Sequence, residues 1–154
     1  MKAGFYSPQS DDLEDWDEGF NGELAFGHYF NPNVAMEFGL GYFQTETSQP
    51  DAEITVIPVT LALKGIYPVD KAELYVLGGI GAYFANLEVS GRGLSIDDDD
   101  TAFGGFQGAG VNYKLSNEFF IGVEAKYLWV EAEWSFANVD LDGWIFTGNL
   151  GFRF

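Results

Sequence analysis

The sequence predicts an all-β protein that folds into an eight-stranded antiparallel barrel. Apolar and polar side chains alternate over long stretches, turn-forming residues interrupt these stretches, and acidic residues gather in every second connection. Successive side chains of a β-strand leave opposite faces, so this alternation is typical of strands that separate two different environments.

The connections divide the chain into eight strands. Tight turns are indicated at Asn31-Pro32-Asn33, Pro68-Val69-Asp70 and Ser116-Asn117. The other four connections are longer and acidic, with the densest runs at residues 11–18 and 97–100. Short turns therefore lie at one end of the predicted barrel and acidic loops at the other. The predicted strands cover residues 2–8, 17–30, 34–47, 53–67, 71–90, 101–115, 118–136 and 141–154.

Most of these strands have one bulky apolar face and one face that mixes Gly with isolated charges. The first and sixth strands are less regular. In the sixth, Phe106 and Gln107 do not fit one register, and we expect a β-bulge there. The bulky positions of the more regular strands include Met36, Phe38, Leu40, Ile57, Leu61, Leu63, Val76, Ile80, Phe84, Ile121, Val123, Trp129, Phe146 and Leu150.

The size of the bulky face decides which face lies inside. Eight strands enclose a lumen just wide enough for side chains to fill, and five or six large side chains from each strand would overfill it. Lipid outside and small or charged residues inside fit better, which predicts a transmembrane barrel of the bacterial outer-membrane type. A soluble, lipocalin-like ligand-binding barrel remains an alternative, and it predicts solubility without detergent.

Composition narrows the class further. A length of 154 residues suits a single domain over residues 1–154, and the absence of cysteine excludes disulfides and thiolate metal sites. The net charge of −17 argues against nucleic acid as a partner. No basic and apolar leader is visible at the start, so we expect a mature outer-membrane form whose signal peptide has been removed.

Two groups of residues are expected to have structural roles. Inward-facing charges should pair within the lumen, because an isolated charge there would carry a large desolvation cost. The predicted lumen charge network is Glu23, Glu37, Lys64, Glu124, Lys126 and Arg153. Outward aromatics near the strand ends should form the two interfacial girdles of a membrane barrel. The predicted girdle residues are Tyr67, Tyr113, Phe119, Trp129, Trp144 and Phe154.

The chain resembles the small outer-membrane β-barrel families of Gram-negative bacteria, particularly OmpW-like proteins and the wider group of the OmpA and OmpX barrels. The resemblance covers nearly the whole chain. Its carriers are residues 2–6, 37–42, 57–61, 75–83 and 151–154. It implies a barrel in contact with membrane lipids and lipopolysaccharide, with Phe154 as the signal for the barrel-assembly machinery. In OmpW-like members it further implies passage of small hydrophobic compounds sideways into the bilayer.

The sequence contains few residues that indicate catalysis or metal binding. His28 is the only histidine and falls near the turn end on the outward face, so we predict no enzymatic activity. Two acidic runs are candidates for binding Ca²⁺ or Mg²⁺, because hard cations take carboxylate oxygens. They are Asp97, Asp98, Asp99 and Asp100, and the cluster at residues 11–18. The alternative is a solvated, self-repelling loop surface, since neither run has the ligand spacing and Gly of a calcium loop.

Two functions remain for a membrane barrel. One is a narrow, porin-like pore or lateral conduit for small hydrophobic molecules, with gaps expected at the Gly-rich segments 78–79 and 104–105. The other is a non-conducting structural barrel, or a membrane-anchored subunit of a larger envelope complex, that binds a protein partner through its loops or its wall.

Overall fold

The computed structural model describes residues 1–8, 19–46, 52–91, 94–134, 137–140 and 142–153. Side chains are described for residues 1–7, 19–42, 55–84, 101–130 and 142–153. Nine strands lie in the described part of the chain, and none of its residues belongs to a helix long and apolar enough to cross a membrane. The strands are β1 (Lys2–Pro8), β2 (Gly19–Asn31), β3 (Val34–Glu46), β4 (Ala52–Val69), β5 (Ala72–Gly91), β6 (Leu94–Lys114), β7 (Phe119–Trp134), β8 (Ala137–Asp140) and β9 (Gly143–Phe152).

The strands form one closed antiparallel sheet. Each of the strands β1 to β7 pairs with its sequence neighbour, and β9 pairs with both β1 and β7. These eight strands make the wall, which confirms the predicted eight-stranded barrel. The short strand β8 pairs only with the far end of β7, from Glu131 to Trp134. Closure gives every wall strand two neighbours, so the barrel has no edge strand.

The two faces of the wall differ as the alternation predicts. Strand β9 alternates along its whole length, with Ile145, Thr147 and Asn149 buried and Trp144 and Phe146 exposed. On the outside, Phe103 is 73% exposed. A soluble barrel would turn such side chains inward, so the outward apolar face contradicts the lipocalin-like alternative and suits lipid.

The interior has two zones along its length. Toward the acidic end it is filled by apolar and aromatic side chains, of which Val56 and Val130 are almost completely enclosed. Toward the turn end it contains buried Lys, Glu and Asn side chains. The apolar zone consists mainly of Tyr6, Val56, Tyr83, Ala102, Phe106, Leu128, Val130 and Ile145.

Three details of the strands differ from the sequence prediction. Residues 137–140, which the sequence assigns to a loop, form strand β8 against the far end of β7. The predicted loop over residues 91–100 is wrong, because β5 continues to Gly91 and β6 begins at Leu94, in register with it. Four consecutive aspartates disfavour a strand by propensity, but a long hairpin supplies the backbone hydrogen bonds that override it. The predicted bulge at Phe106 and Gln107 is also wrong, since β6 keeps its register with both neighbours there.

The unbroken register of β6 places Gln107 on the lipid face. It is exposed, and it lies between Gly78 of β5 and Tyr127 of β7. An amide in hydrocarbon finds no water to replace its hydrogen bonds. Gln107 is therefore a polar exception on the apolar outer surface, and this exception made the alternation of β6 hard to read from the sequence.

Replacing Gln107 with an apolar residue should stabilise the barrel. We expect Gln107→Leu to raise the free energy of unfolding by about 1–3 kcal/mol, because the amide no longer has to be transferred into hydrocarbon. Urea unfolding in phospholipid vesicles measures the change. Gln107→Asn keeps the amide and should stay near the wild type. A Gln107→Leu variant no more stable than the wild type would show that the amide is satisfied within the membrane.

Candidate functional site

The candidate site is a group of charged side chains at the centre of the lumen, which we call the central ion cluster. It consists of three lysines and three glutamates from five strands, Lys2, Glu23, Glu37, Lys64, Glu124 and Lys126. Each occupies an inward position of its strand, which is why the alternation pattern brings residues distant in sequence to one place.

Lys2 lies at the middle of the cluster. Its Nζ atom is 2.6 Å from Glu37 Oε1, 2.9 Å from Glu124 Oε1 and 3.1 Å from Glu23 Oε1. One ammonium group thus contacts all three carboxylates and links β1 to β2, β3 and β7. Its three N–H donors match these three acceptors.

The other two lysines complete the cluster. Lys64 Nζ is 2.6 Å from Glu37 Oε2 and 3.5 Å from Glu124 Oε2. Lys126 Nζ is 2.6 Å from Glu23 Oε2 and 3.5 Å from Glu124 Oε1. Three positive charges therefore face three negative charges, and the group as a whole is neutral.

The positive and negative charges of the cluster must balance because most of its side chains are buried. The Glu124 side chain has no exposed surface, and the side chains of Lys2 and Lys126 are 6% and 5% exposed. A buried charge is tolerated only when it is paired and hydrogen-bonded. Removing one member would leave an uncompensated charge where water does not reach freely.

Neutral groups hold the cluster in position. Tyr75 donates its hydroxyl hydrogen to Glu124 Oε2 at 2.8 Å and accepts a hydrogen bond from Asn149 Nδ2 at 3.1 Å. The Lys64 ammonium also lies 4.4 Å from the centre of the Tyr75 ring, a cation–π distance. Gly110 leaves room for this tyrosine, because a Cβ atom there would collide with the phenol hydroxyl.

A second, smaller charged group lies at the turn end, and we call it the rim group. Glu73 accepts hydrogen bonds from Arg153 at 2.9 and 3.1 Å and is 3.1 Å from Lys114 Nζ. Arg153 also donates to the Tyr29 hydroxyl at 2.6 Å. The Arg153 and Lys114 side chains are about one-third exposed, so they are only partly desolvated.

A cavity of about 670 Å³ separates the two groups. Glu37, Lys64 and Tyr75 line its inner end, and residues of the turn end such as Pro68 and Arg153 line the other. Lys2, Glu37 and Lys64 of the cluster thus form part of the inner wall of a vestibule at the turn end.

The structure brings five of the six predicted lumen residues together and places the sixth elsewhere. Glu23, Glu37, Lys64, Glu124 and Lys126 form the central ion cluster with Lys2, whereas Arg153 belongs to the rim group. Alternation assigns a face but not a level along the barrel, so it could not separate Arg153 from the others. Lys2 was missed as a lumen residue, although its alternation with Phe5 in β1 was a usable signal.

The predicted girdle residues lie on the outer face wherever they are described. Tyr67, Tyr113, Phe119, Trp129 and Trp144 are all exposed. Trp144 and Trp129 each contact Tyr127 edge-to-face, with ring centroids 5.2 Å apart. Phe154 lies outside the described residues, so its proposed role in assembly stays a prediction.

The predicted chemical residues form no reactive group in the described part of the chain. His28 is on the outer face, with its ring in edge contact with Phe30 at 5.3 Å. No cluster of three or more His, Cys, Asp or Glu suited to a metal ion occurs among the described residues. For Asp97, Asp98, Asp99 and Asp100 only the backbone is described, in β6, and residues 11–18 lie outside the description.

Loss of the fully buried carboxylate should destabilise the barrel strongly. We expect Glu124→Gln to lower the free energy of unfolding by about 3–5 kcal/mol, because three lysines then face two carboxylates in a buried site. Glu73→Gln is the matched control, and its cost should be smaller because Lys114 and Arg153 can turn to water. Urea unfolding in vesicles measures both. Equal losses for the two variants would contradict this account of the cluster.

Comparison with known proteins agrees with this architecture. Residues 1–154 match the sequence model of the family described as "Outer membrane protein beta-barrel domain". No curated protein sequence matches the chain.

Solved structures show the same fold at low sequence identity. Neisserial surface protein A is 13% identical with a TM-score of 0.68, over 99% of this chain and 92% of that one. Ail of Yersinia pestis, in complex with the heparin analogue sucrose octasulfate, is 16% identical with a TM-score of 0.55, over 99% and 93%. The N-terminal β-barrel domain of Pseudomonas aeruginosa OprF is 14% identical with a TM-score of 0.52, over 99% and 94%. These likenesses concern the fold alone.

Proposed function

The chain belongs to the family of outer-membrane β-barrel domains, and from that premise we propose that it is a non-conducting barrel that acts through its outer surfaces. The family and the fold place it in the bacterial outer membrane. Our proposal concerns what the barrel does in that membrane, and it rests on the side chains that fill the lumen.

The observation that supports a non-conducting barrel is the central ion cluster. Lys2 of β1, Lys64 of β4 and Lys126 of β7 contact carboxylates on β2, β3 and β7, so the ion pairs cross the lumen in several directions. On the loop side the cluster is followed by the packed apolar zone around Val56 and Val130. An ion would have to separate buried pairs and then cross an apolar layer, and both steps are costly.

Because ion pairs and apolar side chains fill the lumen, a conduit for small hydrophobic molecules would have to run sideways through the wall. The Gly-rich segments expected to open, residues 78–79 and 104–105, lie in strands whose pairing is continuous on both sides. The hypothesis of a conduit for small hydrophobic molecules therefore has no support at those positions.

Recordings in planar bilayers test the proposal. We expect the purified barrel to give no ion-conducting steps, because the paired charges and the apolar zone fill the lumen. A known porin reconstituted in the same bilayer serves as the positive control, and the insertion of both proteins is checked by protease protection. Stable, repeated conductance steps that scale with the amount of inserted barrel would refute a non-conducting function.

A parallel uptake measurement addresses the conduit. Vesicles with and without the barrel are given a hydrophobic fluorescent probe that reports arrival in the lumen. Equal rates of probe entry into the two kinds of vesicle support the non-conducting structural role. Faster entry into vesicles that contain the barrel would favour the conduit, even if no ions pass.

A barrel that does not conduct can still act through two outer surfaces, the wall and the acidic end. The wall is the surface for membrane lipids and lipopolysaccharide, and the acidic end is the one that a protein partner in a larger envelope complex would meet. The structure of Ail contains a polyanion, but a net charge of −17 disfavours such a ligand here. Complementary charge points instead to cationic partners at this end.

Divalent cations are the simplest partners of this kind, and the candidate run Asp97 to Asp100 remains a prediction. The backbone register pairs Glu88 with Asp97, Glu46 with Glu53 and Glu131 with Asp140, so acidic residues occupy opposite positions in three hairpins. Like charges at opposite positions destabilise a strand pair, and a bound cation would relieve this.

Calorimetric titration of the folded barrel with calcium tests the cation hypothesis. We expect saturable heat that is lost when all four residues from Asp97 to Asp100 are replaced by Asn. Potassium at matched ionic strength controls for screening. The absence of saturable heat at about millimolar calcium, the affinity range of extracellular sites, would remove the hypothesis.

A further inference from the structure

Gln107 of β6 is a polar side chain on the outer face of the wall, with apolar residues on both sides of it along the strand. Phe103 lies four residues toward the acidic end and Val111 four residues toward the turn end, and alternation places both on the same face as Gln107. Roughly 13 Å of strand separates Gln107 from each of them. Among the described residues its side-chain amide has no hydrogen-bond partner. A group that satisfies this amide must therefore lie within the hydrocarbon.

Gln107 lines an outward hollow of about 620 Å³, which we call the Gln107 hollow. Gly78 of β5 is opposite Gln107, and Leu63 of β4 is opposite Gly78. On the other side, Tyr127 of β7 is opposite Gln107, and Trp144 of β9 is opposite Tyr127. All five residues line the hollow, so the polar amide and the apolar surface belong to one site on one face of the wall. The volume lies within the range of small-molecule sites.

Small residues in the middle of this row create the hollow. A Cβ atom at Gly78 would have its nearest neighbour, the carbonyl oxygen of Phe106, at 3.9 Å, so the wall has space there for a side chain. At the inward Gly79, by contrast, a Cβ atom would collide with the backbone of β4. Ala109 and Ala125 add two further small side chains to the lining. Packing of the wall thus does not require glycine at position 78, and its absent side chain leaves room for a ligand.

We propose that the Gln107 hollow binds a membrane lipid chain that carries a hydroxyl group within its hydrocarbon part, with this hydroxyl hydrogen-bonded to the Gln107 amide. The inference goes beyond the proposed function, because it assigns a ligand site to the wall, and it holds whether or not the lumen conducts.

The Gln107 amide determines the class of ligand. Its carbonyl oxygen accepts hydrogen bonds and its NH₂ group donates them, and a hydroxyl group can pair with either. An ester or ketone oxygen only accepts, so it would leave the amide carbonyl without a partner. None of the described residues that line the hollow is charged. Nothing there would offset the desolvation of a carboxylate or phosphate, so we expect an uncharged polar group.

The shape of the hollow favours a lipid chain over a second copy of the barrel. The wall of a barrel is convex, and the Gln107 hollow is a depression in it. Two copies that met at Gln107 would leave the space of both hollows unfilled between them, which loses packing contacts. A flexible chain can enter the depression and bring its hydroxyl to the amide.

The cost of Gln107 to stability also supports a role in binding. Gln107→Leu is expected to stabilise the barrel in plain phospholipid vesicles, so the amide is unfavourable for the barrel alone. Residues that break the pattern of their surroundings at such a cost are typical of functional sites.

Nuclear magnetic resonance in phospholipid nanodiscs tests the proposal. The ¹⁵N-labelled barrel is placed in discs of unsaturated phosphatidylcholine that contain increasing fractions of a phosphatidylcholine with one 10-hydroxystearoyl chain. A parallel series contains the stearoyl lipid, which has the same chain but no hydroxyl. We expect the Gln107 side-chain amide to shift saturably with the hydroxylated lipid and not with the stearoyl lipid. The side-chain amide of Asn117, at an exposed turn, is the internal reference.

Variants assign the binding to the Gln107 hollow, with the backbone amide of Gly108 in its lining as the signal. Gln107→Leu removes the amide, and we expect binding of the hydroxylated lipid to weaken by about fivefold, the loss of one hydrogen bond. Gly78→Leu keeps the amide but fills the hollow, and it should abolish the saturable shift. Gly148→Leu is the matched control and should leave binding unchanged. A Cβ atom at this exposed glycine of β9, outside the hollow, also has space, with its nearest neighbour at 3.8 Å.

Folding of every variant is checked by its heat-dependent migration in gels. Gln107→Leu is expected to be more stable than the wild type, so weaker binding in this variant cannot result from unfolding. It decides the question if Gly78→Leu does not fold. Three results would overturn the proposal: equal shifts with the two lipids, shifts that never saturate, or unchanged affinity in the folded Gln107→Leu variant. A Gln107 shift that follows the number of barrels per disc instead of the hydroxylated lipid would also overturn it, and would identify a second copy of the chain as the partner.

Discussion

Contact with hydrocarbon on the outside is the constraint on which the rest of this structure depends. No water is present there to satisfy a free N–H or C=O group, so the strands must close into a barrel. The same contact requires an apolar outer face, which the exposed Phe, Leu, Ile and Val side chains provide. Every charged side chain of the wall that is described is consequently directed to the lumen or to the ends.

Inward placement then creates a second requirement, that the interior charges compensate one another. Lys2 meets it by contacting three carboxylates, and Lys64 and Lys126 balance the remaining charge. The arrangement ties β1, β2, β3, β4 and β7 together across the lumen. An eight-stranded barrel has an interior just wide enough for side chains to fill, so we infer that the interactions that make the interior neutral also close it.

Alternation made much of this architecture predictable from sequence. A period of two fixes the face of each residue, so Glu23, Glu37 and Glu124 could be assigned to the interior without coordinates. It does not fix the stagger between strands, which is why Arg153 was grouped with residues that lie deeper in the lumen. The low strand propensity of aspartate led to a wrong loop prediction at residues 97–100. Pairing with β5 maintains a strand there although the residue types disfavour it.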